Sequence, residues 1–272
     1  MEEKTVNGFA YLANKKEKYN FNDLCLLASL LRADGGCPWD REQTHKSIRK
    51  DIIEETYEVI EAIDNDDPTL LREELGDLLW QVVFHAELER EDGRSTIDDV
   101  VHDICAKLVH RHPHVFGSVV AETPDVVLSN WEKIKTEEKN RSTVTSKLQS
   151  VPPSLPALMR AQKVGKRAPF FDFSGADAVL IKLEEETEEL KSAISSGNAS
   201  EIDEEFGDLL FTAVSLARKL GIDAEESLTR ATQKFITRFS KLESVALENG
   251  KDVTKLSMEE LDGIWDVIKH DA

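Results

Sequence analysis

The chain repeats one long segment of itself, and this repeat restricts the possible folds more than any other feature. A shift of 131 residues aligns 52–83 with 183–214 without a gap, and 13 of the 32 aligned positions are identical. The shared positions include EETYE and EELGD in the first copy, matched by EETEE and EEFGD in the second. Two long copies do not make a short-period solenoid, so the sequence predicts a tandem duplication of one unit.

Most of the chain has the hydrophobic periodicity of helices. Apolar residues recur at spacings of three and four in six segments: 24–31, 52–63, 71–86, 97–109, 202–217 and 224–239. Alternating runs typical of strands are scarce, and the short VFGSVV stretch is too brief to predict one. The sequence therefore predicts an all-α protein.

The region between the two copies has a different composition. Residues 135–156 are polar, rich in serine and threonine, and contain three of the eight prolines. Such a stretch is typical of a boundary between domains. We predict an N-terminal helical domain at 1–136, a linker at 137–154 and a C-terminal helical domain at 155–272.

Charge and composition exclude several classes of protein. The 272 residues carry 34 basic and 53 acidic side chains, a formal charge of −19. Such a charge opposes direct nucleic-acid binding and suits a protein that recruits divalent cations. No apolar run approaches the roughly 20 residues that cross a bilayer, so we expect no membrane contact. Three scattered cysteines indicate a reducing cytoplasm.

Within each copy the acidic residues lie on two neighbouring helices, in pairs that are equally far in sequence from the turn between the helices. We call such paired positions matched heights. NDDP at 65–68 separates the two helical patterns of the first copy. Glu58 and Glu74 lie eight residues either side of position 66, and Glu55 and Asp77 lie eleven either side. In an antiparallel hairpin these pairs face each other on two levels about 4.5 Å apart. In the second copy the same rule, centred on Gly197, gives the pairs Glu189/Glu205 and Glu186/Asp208.

Four carboxylates held this closely repel one another unless a cation compensates their charge. Oxygen ligands without nearby histidine or cysteine favour Mg²⁺, with Mn²⁺ as a possible substitute. The predicted metal ligands are therefore Glu55, Glu58, Glu74, Asp77, Glu186, Glu189, Glu205 and Asp208. Glu54 and Glu185 point away from these clusters; we interpret them as catalytic candidates that orient the ligands or accept a proton from the attacking water.

A glycine lies inside the second acidic motif of both copies, at a position where a helix would favour almost any other residue. We hypothesise that Gly76 and Gly207 allow a neighbouring helix or a phosphate group to approach closely, because glycine has no Cβ atom.

Cationic and aromatic residues recur after each pair of acidic motifs. Lys107 and Arg111 stand at i,i+4, as do Lys234 and Arg238, a spacing that presents both cations on one helix face for phosphate oxygens. Ordinary surface decoration is the alternative. Trp131 and Trp265 each precede a lysine by four residues; they are candidates for stacking on a base, with burial in a core as the alternative.

These motifs resemble those of a known family. EETYE with EELGD, and EETEE with EEFGD, are similar to the EExxE…ExxD signature of MazG-type nucleoside triphosphate pyrophosphohydrolases, and GGCPWDREQTH and KLVHRHPHVFG resemble the N-terminal half of its two-domain members. The resemblance implies two four-helix domains that dimerise to complete the site. It also implies Mg²⁺-dependent hydrolysis of NTPs or dNTPs to monophosphate and pyrophosphate, in nucleotide housecleaning or nucleotide signalling.

A non-enzymatic alternative stays open at this point. One or both copies could serve as a dimerisation or adaptor module, because the copies are unequal. Glu184 and Lys191 in the second copy replace Ile53 and Ile60 of the first. The sequence does not decide which copy turns over substrate.

Overall fold

The computed structural model describes residues 2–15, 17–138 and 143–270. Within these residues the regular elements are helices and no strand is present, so the predicted all-α class is confirmed. The chain divides into two compact units, Met1–Glu138 and Lys139–Ala272, which we describe separately. Of the predicted linker, residues 139–142 lie outside the described residues.

The described residues of the first unit form eight helices. They are α1 (Glu2–Asn14), α2 (Phe21–Arg32), α3 (Pro38–Glu42), α4 (Arg49–Asp64), α5 (Pro68–Glu91), α6 (Ile97–Arg111), α7 (Pro113–Phe116) and α8 (Pro124–Glu138). In the part of the second unit that the structure describes there are six helices and a short 3₁₀ turn at Val253–Lys255. Its helices are α9 (Val144–Gln149), α10 (Ala157–Lys166), α11 (Ala176–Ser196), α12 (Ala199–Lys219), α13 (Ala224–Glu248) and α14 (Met258–His270).

The predicted hairpin of the first unit is formed by α4 and α5. Asp66, the predicted centre of the turn, has a φ of 52°, so the chain reverses through a left-handed residue. Asp67 then caps α5 by accepting hydrogen bonds from the backbone amides of Thr69 and Leu70. Pro68 occupies the first turn of the helix, where its missing amide hydrogen is not needed.

The equivalent hairpin of the second unit is formed by α11 and α12. Gly197 ends α11 with a φ of 70°, a conformation that glycine adopts without a Cβ penalty. Asn198 caps α12 through the amide of Ser200. Both hairpins therefore reverse at the residue on which the matched heights were centred.

The buried core cluster of the first unit lies further along α5 than the acidic residues, towards the C-terminal end of that helix. Ile48, Phe84 and Leu88 form a buried cluster against which Trp80 packs. The His45 ring stacks on the His85 ring with centroids 4.9 Å apart. Helix α2 packs against α5 and joins it through ion pairing of Arg32 with Glu91.

In the second unit α10 holds the hairpin by packing against α12 and α13. The Gln162 side chain donates to the carbonyl of Ile222 and accepts from the amide of Ala224, so it ties α10 to the turn before α13. Asp172 accepts from Arg218 and pairs with Lys219, which anchors the loop before α11 to the end of α12.

Two long helices keep broad apolar faces exposed. Helix α6 buries no residue, although it carries exposed valines, an isoleucine and a leucine, including Ile104 and Leu108. Helix α13 likewise exposes Phe235, Ile236 and Phe239. Such faces on otherwise charged helices are typical of surfaces that pack against another protein chain.

The second part of the predicted linker contains the short helix α9. Thr143 caps helix α9 through the amide of Ser146. Arg167 donates to the Lys147 carbonyl and the Ser150 hydroxyl, and Val151 is buried. These contacts attach residues 147–151 to the second unit, a tertiary effect that composition does not reveal.

In the described part of the chain, no helix is long and apolar enough to cross a membrane.

Candidate active site

The acidic residues of the first hairpin converge as the matched heights predict. Glu55 and Glu58 on α4 and Glu74 on α5 each present a carboxylate oxygen, and these oxygens lie within 4.8 Å of one another. Glu74 is buried, and the other two are half-buried. Asp77 lies outside this group of three, yet its charge acts on both Glu55 and Glu74.

The second hairpin forms a similar group from a different selection of acids. Glu186 on α11 and Glu205 and Asp208 on α12 have carboxylate oxygens within 4.8 Å of one another. Glu189 lies outside the group of three, although its charge still acts on Glu205. Each hairpin thus brings three of its four predicted ligands together, and the fourth lies near enough to act through its charge.

Mutual repulsion and burial perturb both acidic groups. Loss of hydration raises the pKa of Glu74, and the charges of Glu58 and Asp77 raise it further. The pKa of Glu55 is raised by the same causes in the same order, burial first and then its acidic neighbours. In the second unit, burial and the charge of Glu189 raise the pKa of Glu205.

The donor set fits a hard divalent cation. Each group offers three carboxylate oxygens in one small volume, with no histidine nitrogen or cysteine sulfur among them. The raised pKa values of Glu55, Glu74 and Glu205 arise from burial and from neighbouring negative charge, which a Mg²⁺ ion would offset. Glu55, Glu58 and Glu74 would hold such an ion in the first unit, and Glu186, Glu205 and Asp208 in the second.

The two catalytic candidates differ in their surroundings. Glu54 is exposed on α4 and is not among the three grouped carboxylates of its own unit. Glu185 is also exposed, but its Oε1 atom accepts a hydrogen bond from the Lys182 ammonium at 2.6 Å. The same Nζ atom lies 3.0 Å from Glu186, a member of the acidic group.

In the first unit the predicted phosphate-binding arginine is already paired. Arg111 forms an ion pair with Glu138, with Nε 3.0 Å from Oε2. Its guanidinium carbon also lies 5.5 Å from the centre of the Trp131 ring. Trp131 on α8 is half-buried and packs edge-on against His112, which follows the last residue of α6. Lys107 is exposed on the same helix.

In the second unit the corresponding cations have other neighbours. Lys234 is exposed on α13, and Arg238 one turn later is half-buried. Within the described residues the Nε atom of Arg238 is buried without a hydrogen-bond partner. Trp265 on α14 packs on Phe235 with ring centres 5.4 Å apart. The tryptophans of both units therefore brace the helix that carries the cations.

A comparison with protein-family models decides the family. The family model described as "MazG nucleotide pyrophosphohydrolase domain" matches residues 43–116 and 175–242, and these residues contain both acidic groups. The chain belongs to the MazG family. The predicted resemblance and the enzyme class, nucleoside triphosphate pyrophosphohydrolase, are thereby confirmed.

Relatives of MazG type match nearly the whole chain. The nucleoside triphosphate pyrophosphohydrolase/pyrophosphatase MazG of Thermotoga maritima is 43% identical over 92% of this chain and 95% of its own length. The nucleoside triphosphate pyrophosphohydrolase of Escherichia coli is 42% identical over 90% and 95%. The uncharacterized protein YabN of Bacillus subtilis is 42% identical over 94% of this chain and 53% of its own length.

The glycine common to both MazG units faces open space. A Cβ atom built on Gly76 or Gly207 would have no neighbouring heavy atom within 4 Å. Among the described residues of each unit, no neighbouring helix therefore requires these glycines. Approach by a phosphate group or by a second chain is the remaining part of the hypothesis.

Sequence reasoning missed two residues next to the MazG sites. Lys182 lies directly before the segment aligned by the repeat, and its counterpart 131 residues earlier is Asp51. Extending the alignment by one residue would have shown this reversal of charge. Glu138 carried no comparable signal, because its pairing with Arg111 joins residues 27 positions apart on α8 and α6.

Proposed function

We propose that the acidic groups of this MazG protein bind Mg²⁺ and that the chain hydrolyses nucleoside triphosphates to monophosphate and pyrophosphate at these sites. The observation that carries the proposal is the pair of three-carboxylate groups, one in each unit, in which the pKa values of Glu55, Glu74 and Glu205 are raised. Mn²⁺ has similar ligand preferences and is expected to substitute.

Each part of the site has a distinct task in this proposal. A bound Mg²⁺ ion would neutralise phosphate oxygens and lower the pKa of a coordinated water. Lys107 and Arg111, or Lys234 and Arg238, bind the triphosphate and orient it for in-line attack at the α-phosphorus. Glu54 and Glu185 are placed outside the ligand groups, where a carboxylate can accept the proton released by the water.

We further propose that the chain works as a homodimer. The exposed apolar residues of α6 and α13 support this, because an isolated chain leaves them in water. Ile104→Asp and Ile236→Asp test the assembly by sedimentation equilibrium. We expect wild type at a multiple of the 30.6 kDa chain mass, and the variants shifted towards a single chain. Val120→Asp, at an exposed position outside the helices, serves as a matched control.

Two physiological roles fit the proposed substrate class. Removal of non-standard nucleotides and control of nucleotide signalling both require release of pyrophosphate from free triphosphates in the cytoplasm. Neither role requires direct nucleic-acid binding, which the charge of −19 opposes. Product analysis across a panel of NTPs and dNTPs distinguishes the two, since housecleaning predicts a preference for altered bases.

The central experiment removes from each unit one grouped carboxylate whose pKa is raised. We expect the double variant Glu74→Gln/Glu205→Gln to release pyrophosphate on the order of 100-fold more slowly than wild type, the scale of losing a key electrostatic group. The matched control is Glu73→Gln/Glu204→Gln, which removes the exposed acid next to each. A purely adaptor role predicts no pyrophosphate release from wild type and no thermal shift with Mg²⁺.

A further inference from the structure

A lysine ammonium already lies among the carboxylates of the second unit. Lys182 stands one helical turn before Glu186 on α11, and its Nζ atom is 3.0 Å from that carboxylate. It also lies 2.6 Å from Glu185 and 3.9 Å from Glu189. Its side chain is only 32% exposed, so water screens these contacts incompletely.

The first unit has the opposite charge at the corresponding position. Asp51, in the first turn of α4, aligns with Lys182 in the 131-residue shift. In the described residues of this unit, neither lysine nor arginine forms an ion pair with Glu55, Glu58 or Glu74. At this aligned position the two units thus differ by two charges, from +1 at Lys182 to −1 at Asp51.

We propose that Lys182 is a built-in counter-ion that weakens divalent metal binding in the second unit, so that the first unit binds metal more tightly. This inference rests on the proposed function, in which the same carboxylates hold the metal. The ammonium stabilises the metal-free carboxylates of the second unit, and an arriving cation must either displace it or tolerate a like charge. Asp51 adds attraction in the first unit instead.

The two units consequently respond to different metal concentrations. At limiting Mg²⁺ the first unit is occupied while Lys182 still neutralises the carboxylates of the second. The second unit loads only at higher concentration. One chain therefore carries two sites of graded metal affinity, built from nearly the same ligand set.

Manganese titration of the full-length protein tests this directly. Free Mn²⁺ is measured by electron paramagnetic resonance, which reports binding independently of turnover. We expect wild type to show a tight and a weak class of sites. Glu55→Gln should remove the tight class and Glu186→Gln the weak class.

Exchange of the charge is the decisive step. Lys182→Gln should tighten the weak class about tenfold, the lower end of the shift that one neighbouring charge produces in a binding equilibrium. Asp51→Lys should weaken the tight class by a similar factor. The matched control is Lys191→Gln, on the same helix, where the lysine pairs with Glu188 instead.

The outcomes separate the two proposals. An unchanged weak class in Lys182→Gln overturns the counter-ion role, as does loss of the tight class in Glu186→Gln. If neither Glu55→Gln nor Glu186→Gln alters Mn²⁺ binding, the proposed metal sites themselves are wrong. If both alter it and Lys182→Gln does not, only the counter-ion role fails.

Discussion

Glu138 pairs with Arg111 in the first unit and so occupies the guanidinium predicted to bind phosphate. In the second unit, the Nε atom of Arg238 is buried and has no hydrogen-bond partner among the described residues. The two units therefore present their arginines in different states, one engaged by a carboxylate and one with an unsatisfied donor. An unsatisfied buried donor favours an incoming acceptor such as a phosphate oxygen.

Replacing the carboxylate should strengthen nucleotide binding in the first unit. Glu138→Gln removes the charge that competes for Arg111, and we expect a two- to fivefold lower Kd for a non-hydrolysable triphosphate, roughly the scale of a partly exposed ion pair. Calorimetry in an Arg238→Ala background isolates the first unit. Glu122→Gln removes another exposed acid of this unit and should leave the Kd unchanged. Equal Kd values for Glu138→Gln and Glu122→Gln would contradict the competition of Glu138 for Arg111.

Metal should stabilise the protein most at neutral pH. At about 100 times its Kd, a ligand bound by the native state alone adds about 2.7 kcal/mol per site. Raised pKa values at Glu55, Glu74 and Glu205 mean that the metal-free native state binds more protons than the unfolded chain. Its stability therefore rises as pH falls towards the ordinary value of 4.5, where protonation relieves the repulsion.

Thermal unfolding with and without Mg²⁺ measures this linkage. The gain in Tm from Mg²⁺ should be large near neutral pH and shrink as pH falls towards 4.5, because protons then compete with metal for the same carboxylates. Glu74→Gln/Glu205→Gln should lose most of the gain. A gain in Tm that is independent of pH would contradict the assignment of these groups.

Alanine at the shared glycine should separate stability from activity. Gly76→Ala and Gly207→Ala introduce a methyl group into open space on a helix, and we expect each to stabilise the protein by about 0.5–1 kcal/mol. If phosphate or a second chain approaches here, pyrophosphate release falls despite the gain in stability. Unchanged pyrophosphate release would contradict the hypothesis that a phosphate group or a second chain approaches these glycines. Gly197→Ala should instead destabilise, because φ there is 70°.

An ion-paired aspartate in the second unit should contribute strongly to its stability. The Asp172 side chain is 9% exposed and pairs with Arg218 and Lys219. We expect Asp172→Asn to cost about 3 kcal/mol, since it leaves two cations without their partner. Asp177→Asn, at an exposed site nearby, is the control for chemical denaturation experiments.

The pH dependence of the same variant gives a second readout. Hydrogen bonding to Arg218 holds the pKa of Asp172 well below its ordinary value of 3.8. Its contribution is therefore fully present above pH 3.8 and is lost as pH falls through the lower folded-state value. The difference between wild type and Asp172→Asn should persist at neutral pH and close in strong acid. A difference that is constant with pH would exclude the ion pair as its source.

Much of the fold could be predicted from local pattern. The six predicted helical segments all lie within observed helices, including the two long helices of the first hairpin. Helix α9 was missed because its six residues lie in a Ser/Thr-rich stretch and depend on contacts with Arg167. Short elements of this kind are stabilised by tertiary contacts, which composition does not record.

The sequence predicted that the acidic residues of each hairpin meet, but not which three of the four form the group. Equal distance from the turn placed Glu58 and Glu74 at one height, and they meet. The same rule of equal distance from the turn predicted Asp77 and Glu189 as metal ligands like the other acids, yet both lie outside the three-residue groups. Side-chain rotamers and interhelical distance decide such differences, because neighbouring residues on one helix differ in direction by about 100°.

The sequence by itself determined that two helical hairpins, each with four facing acids, recur at a fixed spacing. It could do so because helical period and turn residues act over a few neighbouring positions. Only the tertiary structure decided that Lys182 lies among one set of carboxylates and that Glu138 pairs with Arg111. Those contacts depend on long flexible side chains choosing among several opposite charges, a choice made by packing and local electrostatics.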